Sequence, residues 1–442
     1  MTESIHPLSA RAVEAYIYGF PLVFNLDQVL RYVTTGIGAN PAAPWNSFSH
    51  ARQLATPADR FVTINNDTVY SMAQLDLGPG PVLLEVPDTG GRYYVLQFVS
   101  AWTDNFAYVG TRATGNGAGQ FLVVPPGWSG DAPAGAVVIH SPTRTASIVG
   151  RWAVAGPDDL ADVARLQDAT VLRALDPDAT APGLPVAEAT GDEVLDFWER
   201  YRIWSQVSAS PARDRDLQAS FADLGLVGDT PIAGLDDDVK DALRAGYASG
   251  AETLANALRG GHTPEVNGWL IALHAFDYNL DHFEVGTIDA PEWRIEDQQA
   301  RLVMRAGAAL GGLWGNHGYE AAYIGTYVDD AGEQLAGSRT YELMLDPPPP
   351  NGAFWSLTMY DVPDYFLVEN PIDRYSIGDR TPGLVTGPRG EITITISHEP
   401  PADTANWLPA PAGDFRPMLR VYLPDPSVLD GTYVLPPIRR TA

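Results

Sequence analysis

The stretch EITITIS, residues 391–397, reads as a strand. Ile392, Ile394 and Ile396 alternate with Thr393, Thr395 and Ser397. A period of two puts one row of side chains in a core and the other toward water. FWSLTMYD (354–361) does the same, with Trp355, Leu357 and Met359 set against Ser356, Thr358 and Tyr360. Around them stand YEAAYIGTYVD (319–329), RTYELML (339–345) and PMLRVYLP (417–424), further short apolar runs. A second series fills residues 61–155: PVLLEVP, RYYVLQFV, NFAYVGTRATG, QFLVVPPGW, AVVIHSP and ASIVGRWAV. Gly and Pro clusters separate these runs at regular spacing, the pattern of a β-sandwich or barrel.

Between the two series the period changes to that of helices. TGDEVLDFWERYRIW (190–204) opens with a Thr190-x-x-Glu193 capping box and puts Val194, Phe197, Trp198, Tyr201 and Trp204 on one broad face. DLQASFADLGL stops at Gly225, and LDDDVKDALRAGYASGAETLANALRG stops at Gly260. Residues 8–32 are also helical in pattern, with Ser9 as a cap and Pro21 interrupting or kinking the run. The reading is α+β, mainly β. Residues 1–60 form a helix and loop, 61–155 a first β domain, 156–318 a helical middle segment packed alongside, and 319–442 a second β domain. No internal repeat of fixed period is visible.

Composition narrows the chemistry. The 442 residues carry 28 Lys+Arg against 55 Asp+Glu, a formal net charge of −27. That disfavours nucleic acid and anionic membranes, which bind cationic surfaces. Lys240 is the only lysine and sits in a solvated helical pattern. There is no cysteine, so thiolate nucleophiles, disulfides and thiolate metal sites are out. No apolar run is long enough to span a bilayer, and the start lacks the form of a secretory leader, so a cytoplasmic location is expected. The G-x-S-x-G, Walker A and H-E-x-x-H patterns are missing. His274, Asp277, Asp281, His282 and Glu284 crowd into LHAFDYNLDHFEV, but His274 and His282 are not spaced as a local metal pair. No metal or cofactor is assigned.

One feature is out of place in a strand series: Asn65, Asn66, Asp67 and Thr68, between Phe61 and Tyr70. The expectation is an Asx turn entering a strand, its side chains capping local backbone and then facing a concavity. Arg92, Tyr93, Trp102, Asp104 and Arg112 are further polar or aromatic candidates in the strands that follow. An Asp67–Arg92 or Asp67–Arg112 pair would satisfy both partners in a poorly solvated wall.

The motifs resemble a known pair of domains. AYIYGFPLV (15–23), NNDTVYSMAQLDL (65–77), VPDTGGRYYVLQFVSAWTDNFAYVGTRATG (86–115) and GRWAVAGPDDLADVARLQD (150–168) resemble the domain of unknown function numbered 1254. GSRTYELML (337–345), AFWSLTMYD (353–361), NPIDRYSIGDR (370–380) and NWLPAPAGDFRPMLRVYLP (406–424) resemble its partner, numbered 1214. The resemblance implies two antiparallel β-sandwich domains of jelly-roll-like form and a homo-oligomer. It implies no reaction. Ser100 stands where the family pattern often has an aspartate, and residues 271–295 read as an insertion. The functional expectation is a cofactor-independent hydrolase or lyase/isomerase acting on a small organic molecule near the domain interface. Asp67 would be the acid–base group, with Arg92 and Arg112 as anion anchors. Asn65, Asn66, Thr68, Tyr70, Tyr93, Trp102, Asp104, Tyr360, Arg374 and Tyr375 would form the walls. The alternatives are a non-catalytic small-ligand carrier or oligomeric scaffold, and a metalloenzyme using His274 and His282.

Overall fold

The isoleucine face of 391–397 goes inward: Ile392, Ile394 and Ile396 are buried in the core of the second of two sandwiches. The computed structural model describes residues 7–60, 62–259 and 263–441. Phe61 and Gly260, read above as a strand flank and a helix stop, lie outside the described residues. The first sandwich contains β1 (Phe48–His50), β2 (Thr68–Asp76), β3 (Val82–Val86), β4 (Tyr94–Ser100), β5 (Asn105–Gly110), β6 (Gly119–Val124), β7 (Val137–His140), β8 (Thr145–Ala153) and β9 (Val171–Ala174). Its larger sheet runs β1-β2-β8-β4-β5 and its smaller sheet β7-β6-β3-β9.

The second sandwich begins with β10 (Glu265–Val266). It continues with β11 (Trp269–Ile271), β12 (Ala321–Thr326), β13 (Tyr341–Leu345), β14 (Asn351–Asp361), β15 (Ser376–Gly378), β16 (Ile392–Ser397), β17 (Trp407–Pro409), β18 (Phe415–Pro424) and β19 (Arg439–Arg440). Its larger sheet runs β10-β11-β12-β18-β14-β15 and its smaller sheet β17-β16-β13-β19. Strand for strand, β11 to β19 repeat the order of β1 to β9, with β10 as an extra edge. Even the departures from antiparallel pairing agree: β6/β7 and β16/β17 are both parallel. The chain is duplicated in topology although its sequence shows no period. β1, β9 and β11 also lie outside the residue ranges expected for the two β domains.

The helices are α1 (Pro7–Thr34), α2 (Leu160–Ala169), α3 (Glu193–Val207), α4 (Arg215–Ala219), α5 (Asp237–Arg259), α6 (Gln298–Gly312) and α7 (Pro426–Leu429). Two local readings change. α1 starts ahead of Ser9 and runs unbroken through Pro21, because packing against α3, α5 and α6 outweighs one lost backbone bond. Asp192, not Thr190, caps α3: its side chain accepts from the amides of Val194 and Leu195, while Thr190 bonds Asp196. Among the described residues no helix is long and apolar enough to cross a membrane.

The larger sheet of the first sandwich is the middle layer. Its inner face shares a core with the smaller sheet. Its outer face is divided. Met72, Val99 and Val149 meet α1 and the other helices, while Tyr93, Val95 and Ala153 meet Ala321, Phe354 and Tyr422 of the second sandwich.

α1 and α5 touch backbone to backbone. A Cβ added at Gly246 would lie 2.3 Å from the Ala12 Cβ and 2.6 Å from its carbonyl carbon, and one at Gly250 would lie 2.4 Å from the Tyr16 ring. Gly246→Ala is therefore expected to destabilise by about 1–3 kcal/mol through overpacking, despite a helix-propensity gain of roughly 1 kcal/mol. Ser249→Ala, on the exposed side of α5, is expected to be neutral or slightly stabilising. Urea unfolding of both variants checks this, and wild-type stability in Gly246→Ala would remove the constraint.

Candidate functional site at the seam between the sandwiches

The Asn-Asn-Asp-Thr run is an Asx turn. Asn65 Oδ1 accepts from the amides of Asp67 (3.1 Å) and Thr68 (3.0 Å) and from the Thr68 hydroxyl (3.0 Å), while its Nδ2 donates to the Tyr70 hydroxyl at 2.6 Å. Asn66 Nδ2 donates to the Ala55 carbonyl at 2.6 Å. The turn aims Asp67 into the second sandwich. There its Oδ2 accepts from Ser356 Oγ at 2.6 Å and the Tyr422 hydroxyl at 3.3 Å.

The register of the facing sheets shows what surrounds it. In the first, Tyr70, Arg151, Val95 and Gly110 lie side by side across β2, β8, β4 and β5. In the second, Tyr323, Arg420, Ser356 and Gly378 lie side by side across β12, β18, β14 and β15. The glycines are equivalent in a physical sense too. A Cβ on Gly110 would be 2.4 Å from the Tyr94 carbonyl oxygen, and one on Gly378 would be 2.1 Å from that of Trp355.

Around these rows the same side chains recur. An acid precedes each tyrosine by three residues, Asp67 and Glu320, and an arginine follows each glycine by two, Arg112 and Arg380. Each row arginine bonds within its own sheet and reaches across the seam. Arg151 donates to Gln97 Oε1 (2.9 Å), Asn316 Oδ1 (3.2 Å) and the Trp314 carbonyl (2.8 Å). Arg420 donates to Thr358 Oγ1 (3.0 Å) and the Thr63 carbonyl (2.8 Å).

The two halves differ at their acids. Glu320 takes Arg112 Nε at 2.5 Å and the Tyr93 hydroxyl at 3.2 Å. Burial raises the Glu320 pKa, with Arg112 pulling it back. Asp67 has no such partner. Its counterpart arginine, Arg380, lies 3.4 Å over the Phe354 ring and donates to the Asp67 main-chain carbonyl at 3.1 Å. Burial lowers the Arg380 pKa. Burial, and then the Asp67 charge, push the Tyr422 phenol well above its usual range. Tyr360, pushed up to about 12 by burial, closes the seam by donating to the Ile64 carbonyl at 2.6 Å.

Asn65, Asn66, Asp67, Thr68, Tyr70, Tyr93, Arg112 and Tyr360 therefore meet at the seam, and the remaining sequence candidates do not join its centre. Asp67 pairs with neither Arg92 nor Arg112, because each arginine has a nearer acid. Arg92 forks onto Asp159 at 2.5 and 2.6 Å. Trp102 and Asp104 lie beneath α1. Trp102 donates to the Ser208 carbonyl, and Asp104 is paired with Arg305 at 2.7 Å beside the Ser100 hydroxyl. Arg374 clamps the carbonyls of Thr404, Ala405 and Trp407. Tyr375 bonds Asp373 and packs at the seam's edge beside Tyr360.

Sequence reasoning missed Arg151, Arg380, Arg420, Glu320, Tyr323, Ser356 and Tyr422. The signal was faint: Asp-x-x-Tyr and Glu-x-x-Tyr, then Gly-Thr-Arg and Gly-Asp-Arg, at unequal spacings. Two surface hollows of about 250 and 460 Å³ lie elsewhere, walled mainly by apolar and proline residues.

Each sandwich contains a match to its own family model. Residues 45–174 match "Protein of unknown function (DUF1254)" and residues 320–426 match "Protein of unknown function (DUF1214)". The chain is a DUF1254–DUF1214 protein. The DUF1254 match holds Asp67, Tyr70, Arg112 and Arg151, and the DUF1214 match holds Glu320, Tyr323, Arg380 and Arg420. No curated protein matches the chain. The crystal structure of the VPA0106 protein from Vibrio parahaemolyticus is 24% identical over 98% of this chain and 100% of its own, with a TM-score of 0.73. That likeness shows a shared fold. An uncharacterised protein from Burkholderia cenocepacia is 13% identical over 99% of this chain and 90% of its own, with a TM-score of 0.45.

The histidine-rich segment forms a neighbouring group that meets the seam at Arg112, which lies over the Tyr108 and Tyr319 rings. His274 Nδ1 lies 2.5 Å from Asp277 Oδ2, and His317 Nε2 lies 3.6 Å from Asp277 Oδ1. The Tyr319 and Tyr108 hydroxyls lie 2.7 and 3.1 Å from His317 Nδ1. His282 stands apart, its backbone tied to Asn279. Among the described residues no three His, Asp or Glu side chains form a metal-holding group.

Burial holds His317 neutral, with its pKa lowered to about 4. Its unfolded state binds the proton more readily, so its contribution to stability is full above pH ~6.5 and is lost as the pH falls toward 4. His50 moves the same way, while buried Glu320 and Asp104 are raised and oppose it. His317→Gln should flatten the loss of stability between pH 6.5 and 4 by up to roughly 3 kcal/mol. Urea unfolding at several pH values measures it, and an unchanged slope would refute the assignment.

Proposed function

We propose that the DUF1254–DUF1214 seam is a small-molecule active site in which Asp67 is the acid–base group, serving hydrolysis or lyase/isomerase chemistry. One observation carries the proposal. Of two acids in equivalent positions, Glu320 is fastened to Arg112, whereas the Asp67 carboxylate is held only by hydroxyls, from Ser356 and Tyr422. Glu320 is bound up in an ion pair that would have to be broken before it could act on a substrate. Hydroxyl partners leave the carboxylate able to exchange a proton. Domain interfaces with aromatic walls and a few converging polar groups are also where small-molecule sites form.

A second reading, a carrier without turnover, draws on the closure of the seam: Arg151 and Arg420 are only 6% and 3% exposed. Product formation separates the two. Freshly purified protein is incubated with a panel of small organic acids, esters and lactones, and the mixtures are followed by NMR. Turnover of one of these is expected, falling by about 10²–10⁴ in Asp67→Asn. Glu320→Gln is expected to cost stability. Full turnover in a folded Asp67→Asn protein would sink the assignment, and retention of a panel compound without product would favour the carrier.

A further inference from the structure

We infer that the seam recognises an organic carboxylate, gripped between Arg151 and Arg420. The inference rests on the seam being a small-molecule site and adds the class of ligand.

The two arginines hold equivalent positions on β8 and β18 and face each other from opposing sheets. Both lie near Tyr70 and Tyr422, so they meet at the same part of the seam. Neither has a carboxylate in ion-pair range among the described residues, in contrast to Arg92, Arg112, Arg301 and Arg305. Guanidinium does not lose its proton in proteins. A buried, unmatched charge is strongly unfavourable. In a chain with 55 acidic side chains against 28 basic ones, leaving two buried arginines without acids calls for a compensating partner.

The count of charge indicates the size of that partner's charge. Arg92, Arg112, Arg151, Arg380 and Arg420 face Asp67, Asp159, Glu320 and Asp379, with Asp159 and Asp379 both near Arg380 and Asp159 paired with Arg92. Five cations against four acids leave one positive charge, which a single carboxylate balances and a phosphate dianion over-compensates.

The donors agree. Of the five N–H groups on each guanidinium, Arg151 commits three and Arg420 two. The remainder suit the two oxygens of a planar carboxylate. The body of the ligand would lie among Tyr70, Tyr323, Tyr360 and Tyr422. Tyr70 and Tyr323 are only half-buried, and Arg151 and Arg420 lie 5.5 and 5.6 Å from the Tyr70 and Tyr360 ring centres.

The test is calorimetric titration of the full chain with benzoate, with benzamide as its neutral isostere and with phenyl phosphate, at constant ionic strength. Benzoate is expected to bind at least about tenfold tighter than benzamide. That preference should vanish in Arg151→Gln and Arg420→Gln and persist in Arg374→Gln, which alters an arginine away from the seam. If either seam variant fails to fold, the benzoate–benzamide contrast on the wild type still decides the charge preference. Equal binding of benzoate and benzamide would overturn the inference while leaving a small-molecule site. Tighter binding of phenyl phosphate would overturn the carboxylate class. A benzoate preference untouched in both folded variants would overturn the residue assignment. Binding of none of the three would overturn this inference and the proposed site together.

Discussion

The ion pair between Arg112 and Glu320 is the fastening on which the seam depends. Among the described residues it is the only ion pair joining the two sandwiches, at 2.5 Å, with the Glu320 side chain 1% exposed. A pair this enclosed contributes little net energy over an apolar contact, yet leaving either partner alone costs several kcal/mol. It therefore works as a register pin. The sheets can slide or separate only by stranding a buried charge. With that register held, Tyr93 stacks edge-on against Phe354 and Tyr422, and Asp67 reaches Ser356.

The duplicated topology gives this asymmetry its meaning. Two sandwiches of the same strand order present the same four groups to a shared seam: an acid, a tyrosine and two arginines. Perfect equivalence would give two fastened acid–arginine pairs. Instead Arg380 is drawn onto the Phe354 ring, and Asp67 is left to hydroxyls. One half holds a buried ion pair and the other a buried carboxylate bonded by hydroxyls.

A second buried charge centre lies at the helical end of the same outer face of the first sandwich's larger sheet. Asp104, Arg305, Asp214 and Arg301 form alternating pairs beneath α1. Burial raises the Asp104 pKa, and Arg305 opposes that rise. These groups tie α6 to the β4–β5 turn while α5 clasps α1 through its glycines. The helical layer thus stiffens one half of the sheet face whose other half is the seam.

The strands were legible in the sequence because a period of two is a local consequence of having one wet and one dry face. EITITIS announced this without any partner in view, whereas FWSLTMYD is buried on both faces, its Ser356 and Thr358 row turned to the seam instead of water. The Asx turn at Asn65 was legible for the same reason, since its hydrogen bonds close within three residues. The family motifs likewise lay in plain view. The pairing of charges did not. Arg92 and Arg112 sit in the same kind of strand context, yet one met Asp159 and the other Glu320, more than 200 residues away in sequence. Arg151 and Arg420 looked like ordinary strand arginines, and nothing local marks a side chain as facing another sheet. The sequence by itself determined the elements, their alternation and their family. Only the tertiary structure decided which acid each arginine meets and which acid goes without. Electrostatic pairing depends on distance through space, and the distance between two sheets is written in neither of them.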